Sequence, residues 1–285
     1  MHYFFLALIF LFGSALGSFL AVIANRYNTG LPFFKGRSFC FSCNTQLQKK
    51  DLIPLFSFLS LKGRCRYCQS KIPKEIFIIE VLMGALIMLV AFKLGIFGSN
   101  FQFSIFNFQL IFNFLILISI FGTILLISIY DLKHFIIPNS FLLVLFFLSS
   151  LLFFDFSAPL SSKLLALSSL NLFYGVILTL PFLLLFLISR GKWLGFGDVK
   201  YILVLGFWLG IVQGLSAVIL AFWIGAVFSL IAISVNRLKI RLPIFGNNLT
   251  IKSEIPFGPF LSVGAIISFC LNLDLFHLNE LFNLF

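Results

Sequence analysis

Long apolar runs, interrupted by charge at only a few points, constrain the fold of this chain more than any other feature. The 285 residues are 61% hydrophobic and only 10% charged, whereas soluble domains contain about 25% charged residues. A helix of roughly 20 apolar residues crosses the hydrocarbon core of a bilayer. The sequence therefore predicts an all-α polytopic membrane protein with about eight transmembrane helices, near residues 3–24, 76–97, 105–130, 135–154, 171–189, 199–212, 214–235 and 256–276.

The sixth of these windows is shorter than the others. Residues 199–212 would make about 21 Å of helix, less than the roughly 30 Å of the bilayer core. Either this helix begins inside the bilayer, which would draw the preceding loop below the surface, or Gln213-Gly214 interrupts a longer helix. Irregular backbone at that depth is tolerated where it is buried in protein or lines a water-filled cavity.

The distribution of positive charge predicts the orientation of these helices. If the windows alternate across the bilayer, one side holds every basic residue except Lys93 and Lys163. The positive-inside rule makes that side cytoplasmic and the N-terminus external. The net charge of +11 then needs no nucleic-acid partner, because basic loops beside a bilayer contact anionic lipid. We expect residues 1–24 to be an uncleaved first helix, since no basic segment precedes their apolar run.

Four cysteines form two C-x-x-C pairs in residues 25–75, here called the tetracysteine loop. Cys40 and Cys43 make the first pair, and Cys65 and Cys68 make the second. This spacing is typical of a zinc ribbon, in which four thiolates close a structural site and leave no open position for catalysis. Two disulfides are the alternative, although cytoplasmic thiols stay reduced. We therefore expect a small cytoplasmic loop with structural zinc.

Two aspartates stand at the predicted cytoplasmic ends of apolar windows. They are Asp131 and Asp198, and Gly195 and Gly197 precede the second. Carboxylates next to hydrocarbon are costly and indicate function, and a pair sharing one proton can supply the acid and the base for peptide hydrolysis. The two glycines would let the backbone adopt positive φ and approach an extended substrate. These features predict an intramembrane aspartyl protease with Asp131 and Asp198 as its catalytic pair.

Simpler explanations exist for each acidic residue. Asp198 alone would be the N-cap of the following helix, and Asp131 alone would be a solvated charge at the interface. Glu80 would either pair with Arg26 or a lysine inside the bundle, or lie at the interface. Two aspartates on one side of the membrane, in a chain with nine acidic residues, favour the catalytic interpretation.

Six short motifs follow one another along nearly the whole chain. They are Gly17-Ser18-Phe19-Leu20, residues 38–72, residues 73–80, Asp131 with Ile137-Pro138-Asn139, Gly195-Phe196-Gly197-Asp198-Val199-Lys200, and Ile255-Pro256-Phe257-Gly258-Pro259-Phe260. In this order they resemble the type IV prepilin peptidases, also called prepilin leader peptidase/N-methyltransferases.

The resemblance implies an activity and its partners. It implies that the chain, in a bacterial inner membrane, cleaves the leader from type IV prepilins or pseudopilins at the cytoplasmic face. It also implies N-methylation of the new N-terminus with S-adenosylmethionine. In these terms Asp131 and Asp198 are the protease pair, and the four cysteines bind zinc. No glycine loop on a strand identifies the residues that would bind the methyl donor.

The domain organisation and the competing functions follow from the same features. We expect a first transmembrane helix at 1–24, a zinc-binding loop at 25–75 and a membrane-embedded protease domain at 76–285. A presenilin-like or signal-peptide-peptidase-like protease would share the aspartate motifs but not the tetracysteine loop. A transporter or channel would use the aspartates to bind a proton or cation. A non-catalytic zinc scaffold would tolerate Asp→Asn at both positions.

Overall fold

The computed structural model of the chain describes residues 2–30, 32, 36–40, 42–96, 108–153, 170–237 and 255–277. Most of the segment between the windows at 135–154 and 171–189, and most of that between the windows at 214–235 and 256–276, lie outside these residues. The described residues form the helices α1 (His2–Arg26), α2 (Phe56–Ser60), α3 (Lys74–Lys93), α4 (Phe108–His134), α5 (Asn139–Leu151), α6 (Leu170–Ser189), α7 (Phe196–Arg237) and α8 (Gly258–Leu271), with a 3-10 turn at Lys49–Asp51.

The prediction of an all-α polytopic membrane protein is confirmed. Within the described ranges no strand occurs beyond two isolated β-bridges. The apolar windows fall mainly on helices, although α5 and α8, of 13 and 14 residues, are shorter than predicted. Five helical stretches are long and apolar enough to cross a membrane, namely Phe4–Arg26, Lys74–Lys93, Phe108–His134, Leu172–Ser189 and Phe196–Ser234.

The windows at 199–212 and 214–235 lie on a single helical stretch, α7, which is interrupted inside the apolar run. The interruption is at Gly210, with φ 74° and ψ −178°, and not at the predicted Gln213-Gly214. A positive φ is accessible to glycine at little steric cost, because glycine lacks a Cβ. The short sixth window therefore ends in a backbone break, as one of the two alternatives predicted, but three residues earlier.

The chain forms two compact units, Met1–Gly122 and Thr123–Phe285. In the first unit α1 packs along α3. A methyl group on Gly13 would lie 2.8 Å from the Gly84 Cα, and one on Gly17 would lie 2.9 Å from the Glu80 Cα. Such distances leave no room for a side chain, so these glycines let the two helix backbones touch. Small residues four apart are a common means of packing helices in membranes.

In the second unit α7 is the central helix and packs against α5, α6 and α8. Gly175 on α6 and Gly206 on α7 meet backbone to backbone, since a methyl group on Gly206 would lie 2.9 Å from the Gly175 Cα. Gly264 on α8 is packed equally closely against the Ala217 carbonyl of α7. These contacts fix how the starts of α7 and α8 are placed within the unit.

Candidate active site and metal centre

Asp131 lies in the last turns of α4 and is almost completely buried, with 4% of its surface exposed. Its Oδ2 accepts a hydrogen bond of 2.9 Å from the backbone N–H of Gly258. Gly258 is the first residue of α8, where a helix has N–H groups without an intrahelical acceptor. The buried carboxylate is thus held by the positive end of another helix, which favours its ionised form.

Asp198 lies in the first turn of α7, which begins at Phe196. It is therefore not the N-cap that the simpler explanation proposed. Its backbone N–H donates to the Gly195 carbonyl at 3.1 Å, and the negative charge of Asp131 acts on its carboxylate electrostatically. The structure thus brings the two predicted aspartates into one site, each at the N-terminus of a helix.

Ile137 packs between the glycine loop that precedes Asp198 and the start of α8 that holds Asp131. It is buried, and its Cβ would lie 3.3 Å from a methyl group built on Gly197. The Ile137 Cδ1 would lie 3.3 Å from a methyl group built on Gly258. The segment after α4 therefore contacts the glycine loop before Asp198 as well as the residue that holds Asp131.

Gly258 is the residue of this site that the sequence analysis left without a role. A methyl group on it would lie 2.7 Å from the Asp131 Oδ2, so a larger residue would collide with the carboxylate. The signal was present in Gly258-Pro259 at the start of an apolar window, which is typical of a helix N-terminus. The contact itself joins residues far apart in sequence, and no periodicity indicates it.

The residues around Asp198 pack closely and bond to one another. A methyl group on Gly195 would lie 3.1 Å from the Asp198 Oδ2. Lys200 donates a short hydrogen bond to Asn139, and its ammonium lies over the Phe196 ring. Lys200 is therefore held by Asn139 and does not pair with Asp198. Beneath the site, the buried Tyr201 and Ser262 hydroxyls hydrogen-bond at 2.8 Å.

The tetracysteine loop contains two turns with the same backbone pattern. In the first, the Cys40 N–H donates to the Thr45 carbonyl, and the Asn44 N–H donates to the Cys40 carbonyl. The same pair of bonds recurs around Cys65, with Ser70 and Gln69 in the corresponding places. Asn44 and Gln69 both have positive φ, and an isolated antiparallel bridge closes each turn.

These two turns place the four cysteine sulfurs around one point. All four sulfur atoms lie within 4.8 Å of one another, and those of Cys40 and Cys68 are 3.8 Å apart. A tetrahedral zinc ion with Zn–S bonds of about 2.3 Å places its sulfurs roughly 3.8 Å apart. None of the five cysteines forms a disulfide. The cluster could therefore hold a zinc ion.

Two thiols of this cluster, those of Cys40 and Cys68, are shifted toward ionisation, whereas the pKa of Cys65 is raised. Hydrogen bonds from the Cys68 and Tyr67 backbones lower the pKa of Cys65, but burial and the thiols of Cys40 and Cys68 raise it above its usual value. A hydrogen bond from the Cys43 backbone is the largest influence that lowers the pKa of Cys40, to about 6. A hydrogen bond with the Ser70 hydroxyl lowers the pKa of Cys68. Metal ions bind cysteine as the thiolate. The shifts at Cys40 and Cys68 therefore favour the protonation state that a metal requires.

Asp51 ties the second turn to the rest of the loop. Its carboxylate accepts hydrogen bonds from the Arg66 Nε at 2.7 Å and the Tyr67 hydroxyl at 3.2 Å. Burial would raise the pKa of Asp51, but these bonds and one from the Gln48 N–H leave it below its usual value. A lowered pKa means that the interaction stabilises the fold above the usual carboxyl pKa and is lost as pH falls through the lowered value.

Comparison with known proteins places these features in two matched regions. Residues 11–94, which contain the four cysteines, match the bacterial peptidase A24 N-terminal domain. Residues 118–230, which contain both aspartates, match the type IV leader peptidase family.

Curated relatives match over most of the chain. A prepilin leader peptidase/N-methyltransferase of Bacillus subtilis (strain 168) is 29% identical over 93% of this chain and 93% of its own length. One from Burkholderia pseudomallei (strain K96243) is 28% identical over 84% of this chain and 67% of its own. The type 4 prepilin-like proteins leader peptide-processing enzyme of Escherichia coli O78:H11 is 35% identical, over only 28% of this chain and 36% of its own. No solved structure matches.

Proposed function

Because the chain belongs to the type IV leader peptidase family, we propose that it is a membrane aspartyl endopeptidase that removes the leader from type IV prepilins or pseudopilins. We further propose that it methylates the new N-terminal residue. The observation that carries the protease assignment is the pair of carboxylates, Asp131 and Asp198, held at the starts of α8 and α7.

The pair supports a general acid–base mechanism. Like-charge repulsion between adjacent carboxylates favours a state in which they share one proton. The ionised carboxylate takes a proton from the attacking water, while the protonated one donates its hydrogen to the scissile carbonyl oxygen. The tetrahedral intermediate then collapses, the peptide C–N bond breaks, and the amine leaves with a proton. The shared proton belongs to the pair and is assigned to neither residue.

The residues around the pair have positioning roles in this proposal. The positive φ expected at Gly195 and Gly197 does not occur, so their proposed role is only that they lack side chains and let a substrate backbone approach the carboxylates. The Gly258 N–H, which donates to Asp131, fixes the orientation of that carboxylate. The protease would then occupy residues within the predicted domain at 76–285.

The four cysteines would hold zinc in a structural role. A closed set of four thiolates leaves no position for water or substrate, so no catalytic step is assigned to the metal. Metal bonds would join the two turns of the tetracysteine loop, Cys40 and Cys43 with Cys65 and Cys68, and stabilise a small segment that has little apolar core.

We propose a bacterial inner-membrane location with the tetracysteine loop and the aspartates facing the cytoplasm. The concentration of basic residues on one side supports this orientation. The apolar N-terminal helix of the substrate would lie in the bilayer, with its leader in the cytoplasm beside Asp131 and Asp198.

The experiment that tests this function is the intact mass of a prepilin co-expressed with the protein. With the wild type we expect a product shortened at the leader junction and heavier by one methyl group, and with Asp198→Asn an uncut prepilin. A shortened but unmethylated product would support the protease activity and contradict the methyltransferase activity. Uncut prepilin in both cases would overturn the proposed substrate class.

A further inference from the structure

A cavity of about 410 Å³ lies in the first unit, among α1, α3 and the tetracysteine loop. This volume is within the range of pockets that bind small molecules and cofactors. Its wall is largely apolar and includes the rings of Phe39, Phe58 and Phe77. Phe58 and Phe77 stack with their centroids 4.9 Å apart. No residue of the protease pair lines this cavity.

Two buried carboxylates line the cavity, that of Asp51, which pairs with Arg66, and that of Glu80 on α3. Only 5% of Glu80 is exposed, and its Oε2 accepts a 2.7 Å hydrogen bond from the Leu55 N–H. The Ser18 side chain on α1 lines the same cavity. Leu55 has φ 61°, which is rare for leucine and is retained only where the surroundings hold it. Glu80 is thus held in place by the backbone N–H of Leu55, a donor that a carboxylate oxygen accepts from.

Three cationic side chains line the same cavity, those of Arg26, Arg66 and Lys71, and none of them pairs with Glu80. The Arg26 guanidinium donates to the Pro32 and Arg37 carbonyls at 2.8 and 3.4 Å, and Arg66 pairs with Asp51. Within the part of the chain that the structure describes, no lysine or arginine lies within ion-pair distance of Glu80. A buried charge without a countercharge is costly. The cavity therefore favours a ligand that brings a positive charge to Glu80.

We propose that this cavity binds S-adenosylmethionine, with Glu80 as the countercharge of the sulfonium group. The proposal rests on the proposed methyltransferase activity, for which it supplies the missing binding site. Apolar and aromatic walls suit the adenine ring, and a carboxylate beside the sulfur suits its permanent positive charge. Neither Glu80 nor the cavity was assigned this role by the sequence.

The reaction changes the charge that Glu80 faces. The lone pair of the substrate's new N-terminal amine forms the N–CH₃ bond, the S–CH₃ bond breaks with its electron pair left on sulfur, and a proton from the amine passes to water. The product, S-adenosylhomocysteine, is a neutral thioether at sulfur. Its attraction to Glu80 is therefore weaker, which favours exchange for a new methyl donor.

The test compares the binding of S-adenosylmethionine and S-adenosylhomocysteine to the purified full-length protein by equilibrium dialysis. We expect Glu80→Gln, which keeps the acceptor for Leu55, to weaken binding of the sulfonium compound about tenfold or more and that of the thioether little. Glu75→Gln, in the exposed first turn of the same helix, is the matched control. Val22→Phe, which fills the cavity without changing charge, should weaken binding of both compounds.

The outcomes separate this proposal from the function on which it rests. Equal weakening of both compounds by Glu80→Gln would indicate a purely structural residue, and unchanged binding of both would place the methyl donor elsewhere. Either result, in a wild-type protein that methylates prepilin, overturns the cavity assignment alone. If the wild type binds neither compound and releases only unmethylated product, the methyltransferase activity itself is wrong.

Discussion

At the scale of single residues, the site depends on how two carboxylates are held at helix starts. The Gly258 N–H donates to the Asp131 carboxylate, and the backbone N–H of Asp198 donates to the Gly195 carbonyl. Both interactions use backbone groups, which cannot rotate away as side chains do. The Asp131 carboxylate is therefore oriented and the backbone of Asp198 fixed before a substrate arrives, a condition for efficient acid–base catalysis.

The contact between Gly258 and Asp131 predicts a strong effect of a small substitution. In Gly258→Ala the new methyl group would lie 2.7 Å from the Asp131 Oδ2, so the carboxylate must shift. We expect leader cleavage to slow by about 100-fold, the usual effect of misplacing a catalytic group by about 1 Å. The measurement is the single-turnover rate of prepilin cleavage.

Gly122→Ala is the matched control for that experiment. Its methyl group would make only ordinary contacts of 3.4 Å with the Leu20 and Met83 side chains. A Gly258→Ala protein that cleaves at the rate of the Gly122→Ala protein would show that Asp131 does not need its present orientation.

The pair formed by Asp51 and Arg66 predicts how firmly the tetracysteine loop holds a metal. Asp51→Asn would remove a buried charge that accepts three hydrogen bonds. Since such bonds contribute about 1.5–3 kcal/mol each when one partner is charged, and Arg66 is partly exposed, we expect zinc to be lost to a chelator about tenfold faster. The rate should be compared with that of Arg66→Gln and of the double variant. Additive effects of the two changes would show that the residues do not act as a pair.

At the scale of helices, glycines decide which backbones touch. Gly13 and Gly17 on α1 meet α3 without intervening side chains, and the second of these contacts lies at Glu80, next to Ser18. The motif Gly17-Ser18 therefore serves both the packing of α1 and the lining of the cavity. Without hydrophobic driving force between helices in lipid, close backbone contact is the main source of such packing.

This packing predicts that α1 does not tolerate a larger residue at Gly17. In Gly17→Leu the new Cβ would lie 2.9 Å from the Glu80 Cα and from the Ile79 carbonyl oxygen. These are backbone atoms of a packed helix, which cannot move aside as a flexible side chain can. We expect the melting temperature of the detergent-purified protein to fall by several degrees, consistent with an overpacking cost of about 1–3 kcal/mol. An unchanged melting temperature in Gly17→Leu, with Gly122→Ala as control, would contradict the α1–α3 packing.

The helices were predictable from the sequence, and the contacts between them were not. Apolar length alone located the helices, because the bilayer fixes the length of a span. The break in α7 was expected near Gly214, but the structure has it at Gly210, since several glycines could accept a positive φ and packing selects one. Gly258 and Gly264 are visible in the sequence, but the residues that they contact are not. Their partners, Asp131 and Ala217, lie far away along the chain.

The site was predictable to a similar extent. Its two aspartates and four cysteines were predicted from their spacing and their rarity in an apolar chain; the structure places the four sulfurs around one point, and the catalytic and metal-binding roles stay predictions. The role of Gly258 was missed because it depends on a backbone N–H, which every residue except proline carries. Glu80 was recognised as unusual but was expected either to pair with a cation or to lie at the interface. It is buried and instead accepts a hydrogen bond from the Leu55 N–H, a contact that no spacing rule indicates.

At the scale of the whole molecule, the asymmetry of charge predicts its orientation in the membrane. The turns after α3 and α6, at Gly95 and Gly191, would lie on opposite sides. We expect an alkaline phosphatase fusion at Gly95 to be active outside the cell membrane and a green fluorescent protein fusion at Gly191 to fluoresce in the cytoplasm. The reverse pattern would place the tetracysteine loop and the aspartates on the outer side and contradict the positive-inside assignment.

The central claim is that Asp131 and Asp198 hydrolyse the leader peptide as one catalytic unit. The most direct test is the cleavage rate of a purified prepilin by Asp131→Asn, Asp198→Asn and the double variant, measured by intact mass. Residues that act as a unit have non-additive effects. We therefore expect each single variant to lose at least about 100-fold in rate and the double variant to be no slower than either. Substantial cleavage by either single variant, or a double variant slowed by the product of the two effects, would contradict the account.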